Sequence, residues 1–364
     1  MEPLLGSGNG YGAYQTLGNL TITYDGFNEY DSYKRTLDLK TGVHSTTAKA
    51  GDAEVTTSVF CSFPDEVCVY HITSSAGVPE ITIGFENRLV EPETVEYTCD
   101  DGYIRVAGVT QVGPPEGLKY DSIARVTKCS GATTTCSDDS LLTVTAPEGQ
   151  KSLTIVVGAG TNFDQTKGNA ENDYSFKGVD PDEHVESVTS SAASRSYKSL
   201  LNSHVSDYQG LADAFVLDLP DPHGSADVET STVISEYVVD GPGDPFLEGL
   251  LFDYSRHLLI TSSRPGSLPA NLQGRWTEEL WPAWSADYHA NINLQMNYWV
   301  ADQTGLSETQ DGLWDYMELN WVPRGTETAK LIYGAEGWVV HNEMNIYGFT
   351  AMKEGASWAH CEFA

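Results

Sequence analysis

The chain has 364 residues, 40% hydrophobic and 20% charged, enough apolar content for a large core in two or three domains. Its 20 lysines and arginines stand against 52 aspartates and glutamates, a net charge of −32. That balance argues against nucleic acid and anionic membranes as partners, because both need clustered cations.

No run of about eighteen apolar residues is present to span a membrane. Met1 to Tyr14 is Gly-rich and lacks the apolar core of a secretion signal. From about residue 10 to 178 the chain predicts β structure. Short alternating runs such as Leu20-Thr21-Ile22-Thr23-Tyr24, Glu54 to Phe60, Val67 to Ile72, Ile81 to Phe85 and Leu153 to Val157 are separated by Gly, Asp, Asn and Pro clusters. Many short strands with closely spaced turns indicate an antiparallel sandwich. Asn19-Leu20-Thr21 matches a glycosylation acceptor but falls within a predicted strand, where a chance match is at least as common. The six cysteines are Cys61, Cys68, Cys99, Cys129, Cys136 and Cys361, with no CxxC pair among them. Cys61 with Cys68 and Cys129 with Cys136 would each close a short loop, as disulfides of an oxidising compartment do; isolated buried thiols are the alternative.

Asp180-Pro181-Asp182-Glu183 predicts a helix start, with Asp180 as N-cap, Pro181 in the first turn and Glu183 returning a bond to the cap. This helix is expected to run to about Ser206, with Tyr197, Leu200 and Leu201 on one face. A loop through Pro220, Pro222 and Gly224 follows. Leu247, Leu250, Leu251, Tyr254, Leu258 and Leu259 then recur at the spacing of one buried helical face. Further helices are expected from about Ile292 to Gln303, closed by Gly305, and from about Gln310 to Asn320, ending before Pro323. The pattern divides the chain into a β-sandwich at 1–178, a helical linker at 179–243 and a helical domain at 244–364.

All eight tryptophans lie after residue 275. Sugar rings stack their C–H faces on flat aromatic rings while their hydroxyls need convergent polar groups, so this region suits a carbohydrate. Core filling is the expected role of Trp299, Trp314 and Trp321, whereas Trp276, Trp281 and Trp284, in a Pro-broken loop, suit a pocket rim. Near them, Asn291 could cap a helix starting at Ile292, or could join Asn293 in holding a water or a sugar hydroxyl. Glycoside hydrolysis needs two carboxylates. Glu278, Glu279, Asp287, Glu343 and Glu362 are the nearby candidates, and spacing alone selects no pair, although Glu343 after Trp338 and His341 is the best local choice for an acid. The run Gly6 to Gly10 lacks the preceding strand and lysine of a nucleotide loop, and no nucleophile elbow occurs.

Tyr254 to Ile260, Ser262 to Gly274 and His289-Ala290-Asn291-Ile292-Asn293-Leu294-Gln295-Met296-Asn297-Tyr298-Trp299 closely resemble glycoside hydrolase family 95. Tyr14 to Leu20 and His204 to Gln209 resemble that family's amino-terminal domain and linker, and Gly337 to Asn345 looks like the form of fungal members. The resemblance implies a β-sandwich, a helical linker and an (α/α)6 barrel with the active site at its mouth. It implies a secreted α-L-fucosidase that hydrolyses terminal α-1,2-linked L-fucose with inversion and uses no metal or other cofactor, with a fucosylated glycan as its partner. In that scheme Asn291 and Asn293 help to orient the attacking water, His289 contacts the sugar hydroxyls, and Trp338 and His341 line the pocket. It also implies that the family's acid and water-activating carboxylates would follow Ala364. Only the first part of the barrel is then expected here, and the chain alone is expected to be unstable or inactive. Two other readings stay open: an α-L-galactosidase of the same family, and a carbohydrate-binding protein without catalysis.

Overall fold

The computed structural model describes residues 16–26, 29–86, 95–113, 116–128, 131–272, 275–276, 278, 284, 287–290, 292–341, 344–351 and 361–362. Twelve strands come first: β1 (Asn19–Tyr24), β2 (Ser32–Asp38), β3 (Val43–Ala50), β4 (Ala53–Ser62), β5 (Val67–Ser74), β6 (Ile81–Glu86), β7 (Val95–Asp100), β8 (Tyr103–Val109), β9 (Lys119–Val126), β10 (Thr133–Cys136), β11 (Leu142–Thr145) and β12 (Ser152–Thr161). They form a four-stranded sheet in the order β1-β6-β11-β10 and an eight-stranded sheet in the order β2-β3-β4-β5-β12-β9-β8-β7.

The alternation along each strand sets which side chains meet between the sheets. Ile81, Ile83, Leu142 and Val144 of the smaller sheet pack on Val55, Ile72, Ile104 and Ile155 of the larger one. In β1, Leu20, Ile22 and Tyr24 join this core, whereas Thr21 and Thr23 are exposed. The central strands of the larger sheet are covered on both faces. On the second face Val67, Val69 and Val156 meet Phe60, Ala192, Ala193 and Leu200, which accounts for the nearly continuous apolar run in β12. A Cβ at Gly158 would come within 2.6 Å of the Thr189 methyl, so only glycine lets the covering helix lie this close.

Two disulfides are formed among the described residues. Cys61–Cys68 joins directly opposed positions of β4 and β5. Cys136 is bonded to Cys99, not to Cys129 as its spacing suggested; Cys129 lies outside the described residues. Position in space explains the correction. β7 and β10 are edge strands of different sheets, so this bond ties the two layers together at one margin.

The covering helices are α1 (Asp182–Ala193) and α2 (Tyr197–Ala212), two elements where one was expected. Ser196 starts the second helix by accepting the Ser199 N–H at 3.3 Å. Between them Arg195 pairs with Asp65 of the sandwich and donates to the Ser199 carbonyl at 3.0 Å. Pro181, not Asp180, occupies the cap position of α1; the Asp180 carboxylate pairs with Lys119 and accepts the Asp182 N–H at 3.3 Å. Helix α2 holds the β2–β3 turn. His204 Nε2 meets the Thr41 carbonyl at 2.9 Å, the Tyr208 hydroxyl donates to the Leu39 carbonyl at 3.1 Å, and the Gln209 amide donates to the Lys40 carbonyl at 3.2 Å.

After α3 (Thr230–Glu236) comes α4 (Pro245–Ser262), started by Asp244, whose carboxylate accepts the Leu247 N–H at 3.1 Å. Its buried face differs from the expected one. Gly249, Arg256, Leu259 and Ile260 are buried, while Leu251, Tyr254 and Leu258 are exposed. The helix is turned because Arg256 points inward. Its guanidinium donates to the carbonyls of Leu211, Ala212, Phe215 and Thr304 at 2.8 to 3.2 Å, meeting the open carbonyls at the end of α2. Arg264, just past α4, binds Asp207 of α2 through two bonds of 3.0 and 2.8 Å. It also lies 4.1 Å from the ring centre of Phe63 in the sandwich.

The remaining helices are α5 (Asn293–Tyr298), α6 (Asp311–Tyr316) and α7 (Val322–Thr328). The helix expected to reach Gln303 ends at Tyr298 and resumes only as a short tight turn at Asp302–Thr304, closed by Gly305 at φ 72°. The helix expected to stop before Pro323 continues through it. A wide turn over Met317–Trp321 precedes α7, with Pro323 in that helix's first turn, so the missing N–H falls where the regular bonding is already interrupted. A two-residue strand β13 (Val340–His341) pairs with β14 (Cys361–Glu362). The order is the α+β architecture expected: sandwich, helical connection, then helices of a partial (α/α)6 barrel. Among the described residues no helix is long and apolar enough to cross a membrane.

Candidate active site

The segment Asp287-Tyr288-His289-Ala290 enters α5. Asp287 is wholly buried, and its carboxylate accepts the His289 backbone N–H at 2.9 Å and pairs with His289 Nδ1. His289 has φ 48°, in the left-handed region that residues other than glycine adopt uncommonly. The carbonyl of His289 accepts the Leu294 N–H at 3.3 Å, joining this turn to the helix. Trp284, exposed, stands edge-on to the His289 ring with centroids 6.1 Å apart.

Asn293 is the first residue of α5 and is half-buried. The cap position belongs to Ile292, without a side-chain cap bond. Asn291, which one reading of the sequence made the capping residue, lies outside the described residues.

The chain after α7 folds back onto this entrance. Tyr288 N–H donates to the Met344 carbonyl at 2.7 Å, the Tyr316 hydroxyl to the Asn345 carbonyl at 2.8 Å, and the Asn320 amide to the Ile346 carbonyl at 3.0 Å. Burial pushes the Tyr316 hydroxyl far up, with Tyr288 and Asp287 adding to the effect. His341 is fully buried, with Nδ1 at 2.6 Å from the Thr350 carbonyl and Nε2 at 2.7 Å from the Tyr333 hydroxyl. A carbonyl only accepts, so Nδ1 carries a proton and both ring nitrogens are engaged inside the protein.

Trp338 is half-buried and T-shaped to Trp321 at 5.8 Å. With Leu294, Gln295, Trp299, Trp314 and Trp321 it lines a largely apolar cleft of about 330 Å³ along α5 and α6. Trp321 is buried, as a core role requires, but Trp299 and Trp314 are exposed at this cleft and do not fill the core as expected. They lie on helix faces that no described element covers. Trp276 is exposed like Trp284, as a rim position requires, and Trp281 and Trp358 lie outside the described residues.

His289 and Asn293 thus stand at the start of α5 and Trp338 lines the cleft along that helix, while His341 is fixed between Tyr333 and Thr350. Of the five carboxylates considered, Glu278 is exposed, Asp287 is bound to His289 and Glu362 stands in β14 opposite Val340, while Glu279 and Glu343 lie outside the described residues. The tie between Asp287 and His289 was missed in the sequence. Its signal is the Asp-x-His spacing, which lets one carboxylate reach both the backbone and the ring of the second residue on.

Residues 196–364 match the family model of the glycosyl hydrolase family 95 catalytic domain, and residues 1–166 that of the glycosyl hydrolase family 65 N-terminal domain. Probable alpha-fucosidase A of Aspergillus oryzae is 51% identical over 351 residues, covering 95% of this chain and 48% of the relative. The protein of the same name from Aspergillus niger is 49% identical, covering 99% and 45%. Alpha-L-fucosidase 2 of Arabidopsis thaliana is 31% identical, covering 97% and 44%. The chain spans about half the length of these relatives. A solved structure bearing the name kojibiose phosphorylase, from the human microbiome, superposes with a TM-score of 0.55 over 87% of this chain and 38% of that one, at 12% identity, a likeness of fold. On the match of residues 196–364, the helical part of the chain belongs to glycoside hydrolase family 95.

Proposed function

We propose that this chain forms part of a secreted α-L-fucosidase that removes terminal α-1,2-linked L-fucose from glycans with inversion at the anomeric carbon. The names borne by its relatives motivate the substrate. One observation supports the placement: a half-buried Asn293 at the start of α5, four residues after a His289 held by a buried carboxylate. In this reading Asn291 and Asn293 share the orientation of the attacking water, each offering donor and acceptor without charge. His289 binds sugar hydroxyls, Trp338 supplies a stacking face, and His341 braces the same wall. The division at 178/179 and 243/244 would separate a sandwich and linker that support the site from helices that carry it. The two disulfides favour an extracellular setting.

Inversion requires water to attack from the face opposite the leaving oxygen. The test is proton NMR of 2′-fucosyllactose hydrolysis by the protein carrying this chain, recorded before mutarotation. β-L-fucose is the expected first product. α-L-fucose as the first product would contradict inversion, and no release of fucose would contradict the substrate.

A further inference from the structure

We infer that Asp287 is a positioning residue that sets which nitrogen of His289 the site presents; the claim about sugar contact rests on the fucosidase reading, while the claim about the ring does not. A carboxylate shut off from water is costly unless donors surround it. Asp287 has no exposed surface, and two donors on His289 reach it, the backbone N–H at 2.9 Å and ring Nδ1. An ionised carboxylate only accepts, so Nδ1 must carry the proton. That choice makes Nε2, at the opposite edge of the ring, the nitrogen that meets anything other than Asp287.

The two bonds act on different degrees of freedom. The bond to the backbone N–H holds His289 at φ 48°, a conformation that costs energy for a residue other than glycine. The bond to Nδ1 fixes the rotation of the ring. Held at both points, and with its side chain only 14% exposed beside Trp284, the imidazole has one orientation at the mouth of α5. In metal-ligating histidines a partner on one ring nitrogen orients the other, and its loss typically costs about 10- to 100-fold in affinity; the same device acts here on a ring with no metal assigned to it.

The experiment is ¹⁵N histidine NMR on the protein carrying this chain, with L-fucose as the binding probe. In the wild type at neutral pH, His289 should show a protonated Nδ1. Asp287→Asn keeps an acceptor and should keep that signature. Asp287→Ala should release the ring into a mixture of tautomers and weaken L-fucose binding about tenfold, with its circular dichroism retained. Finding the Nε2-protonated tautomer in the wild type would overturn the inference, and so would unchanged tautomer and affinity in a folded Asp287→Ala. If Asp287→Ala does not fold, the wild-type and Asp287→Asn spectra still decide the protonation of Nδ1. A locked ring without any L-fucose binding would sink the fucosidase reading alone, and fucose release with an unlocked ring would sink the positioning role alone.

Discussion

Arg256 shows what a single buried charge does in this chain. It is 4% exposed, and its guanidinium reaches four carbonyls but no carboxylate among its described hydrogen bonds. Burial lowers its proton affinity, and Asp253 and Tyr208 oppose that effect. Arg256→Met keeps much of the length and removes the donors, stranding carbonyls at the end of α2. We expect it to cost about 3 kcal/mol, read as a lower urea midpoint at unchanged slope; a midpoint within error of the wild type would show that the carbonyls find other donors. Residue-level chemistry could be proposed from the sequence where a long motif carried it, as at His289 and Asn293. It was illegible at Asp287, because five nearby carboxylates looked alike and only the folded turn distinguishes the one bound to a histidine. Arg256 was hidden for a related reason. An arginine within an apolar helical stripe reads as solvent-facing, and nothing local announces the carbonyls waiting for it.

At the scale of elements, the contact between α2 and the sandwich is built on aromatic and histidine rings. His71 of β5 stacks on Tyr197 at 3.6 Å, and His204 stacks on Phe60 at 4.6 Å. Burial lowers all three nearby histidines: His71 to about 4 from its ordinary 6.5, with His204 and His257 also below theirs, the latter helped by its neighbour His204. A folded value below the unfolded one means the unfolded chain binds protons first as the pH drops. The stability these rings contribute is therefore complete above about 6.5 and is lost as the pH falls toward 4. Thermal melts from pH 7 to 4 should show a falling Tm, and His71→Phe should flatten part of that slope; equal slopes would exclude His71 as a source. The strands were readable because period-two alternation survives wherever one face is wet, as in β1. The helices were harder. The break at Ser194–Ser196 depends on Arg195 leaving to meet Asp65, a partner 130 residues away, and the helix through Pro323 depends on a wide turn that no propensity signals.

Across the whole molecule, the two sheets and the helical body are held by a few long-range ties. Arg264 touches the larger sheet's β4–β5 turn, the covering helix α2 and the helical body, through Phe63, Asp207 and Glu308. Cys99–Cys136 joins the margins of the two sheets and closes 37 residues, whereas Cys61–Cys68 closes seven. On the loop-entropy account the first restrains the unfolded chain by about 4 kcal/mol and the second by about 2 kcal/mol. Cys99→Ala/Cys136→Ala should therefore lower the denaturant midpoint more than Cys61→Ala/Cys68→Ala; the reverse order would mean that the hairpin bond, not the inter-sheet bond, governs stability. The sequence suggested disulfides but paired Cys136 by nearness along the chain, and edge-to-edge closure is a property of the assembled sandwich.

The central claim is that Asn293, with Asn291, holds the water that attacks the sugar. Steady-state kinetics of 2′-fucosyllactose hydrolysis by the protein carrying this chain, compared with its Asn293→Gly and Asn291→Gly variants, tests it most directly. Each substitution should lower kcat about 100-fold while KM changes far less. A kcat equal to that of the unsubstituted protein would contradict the account.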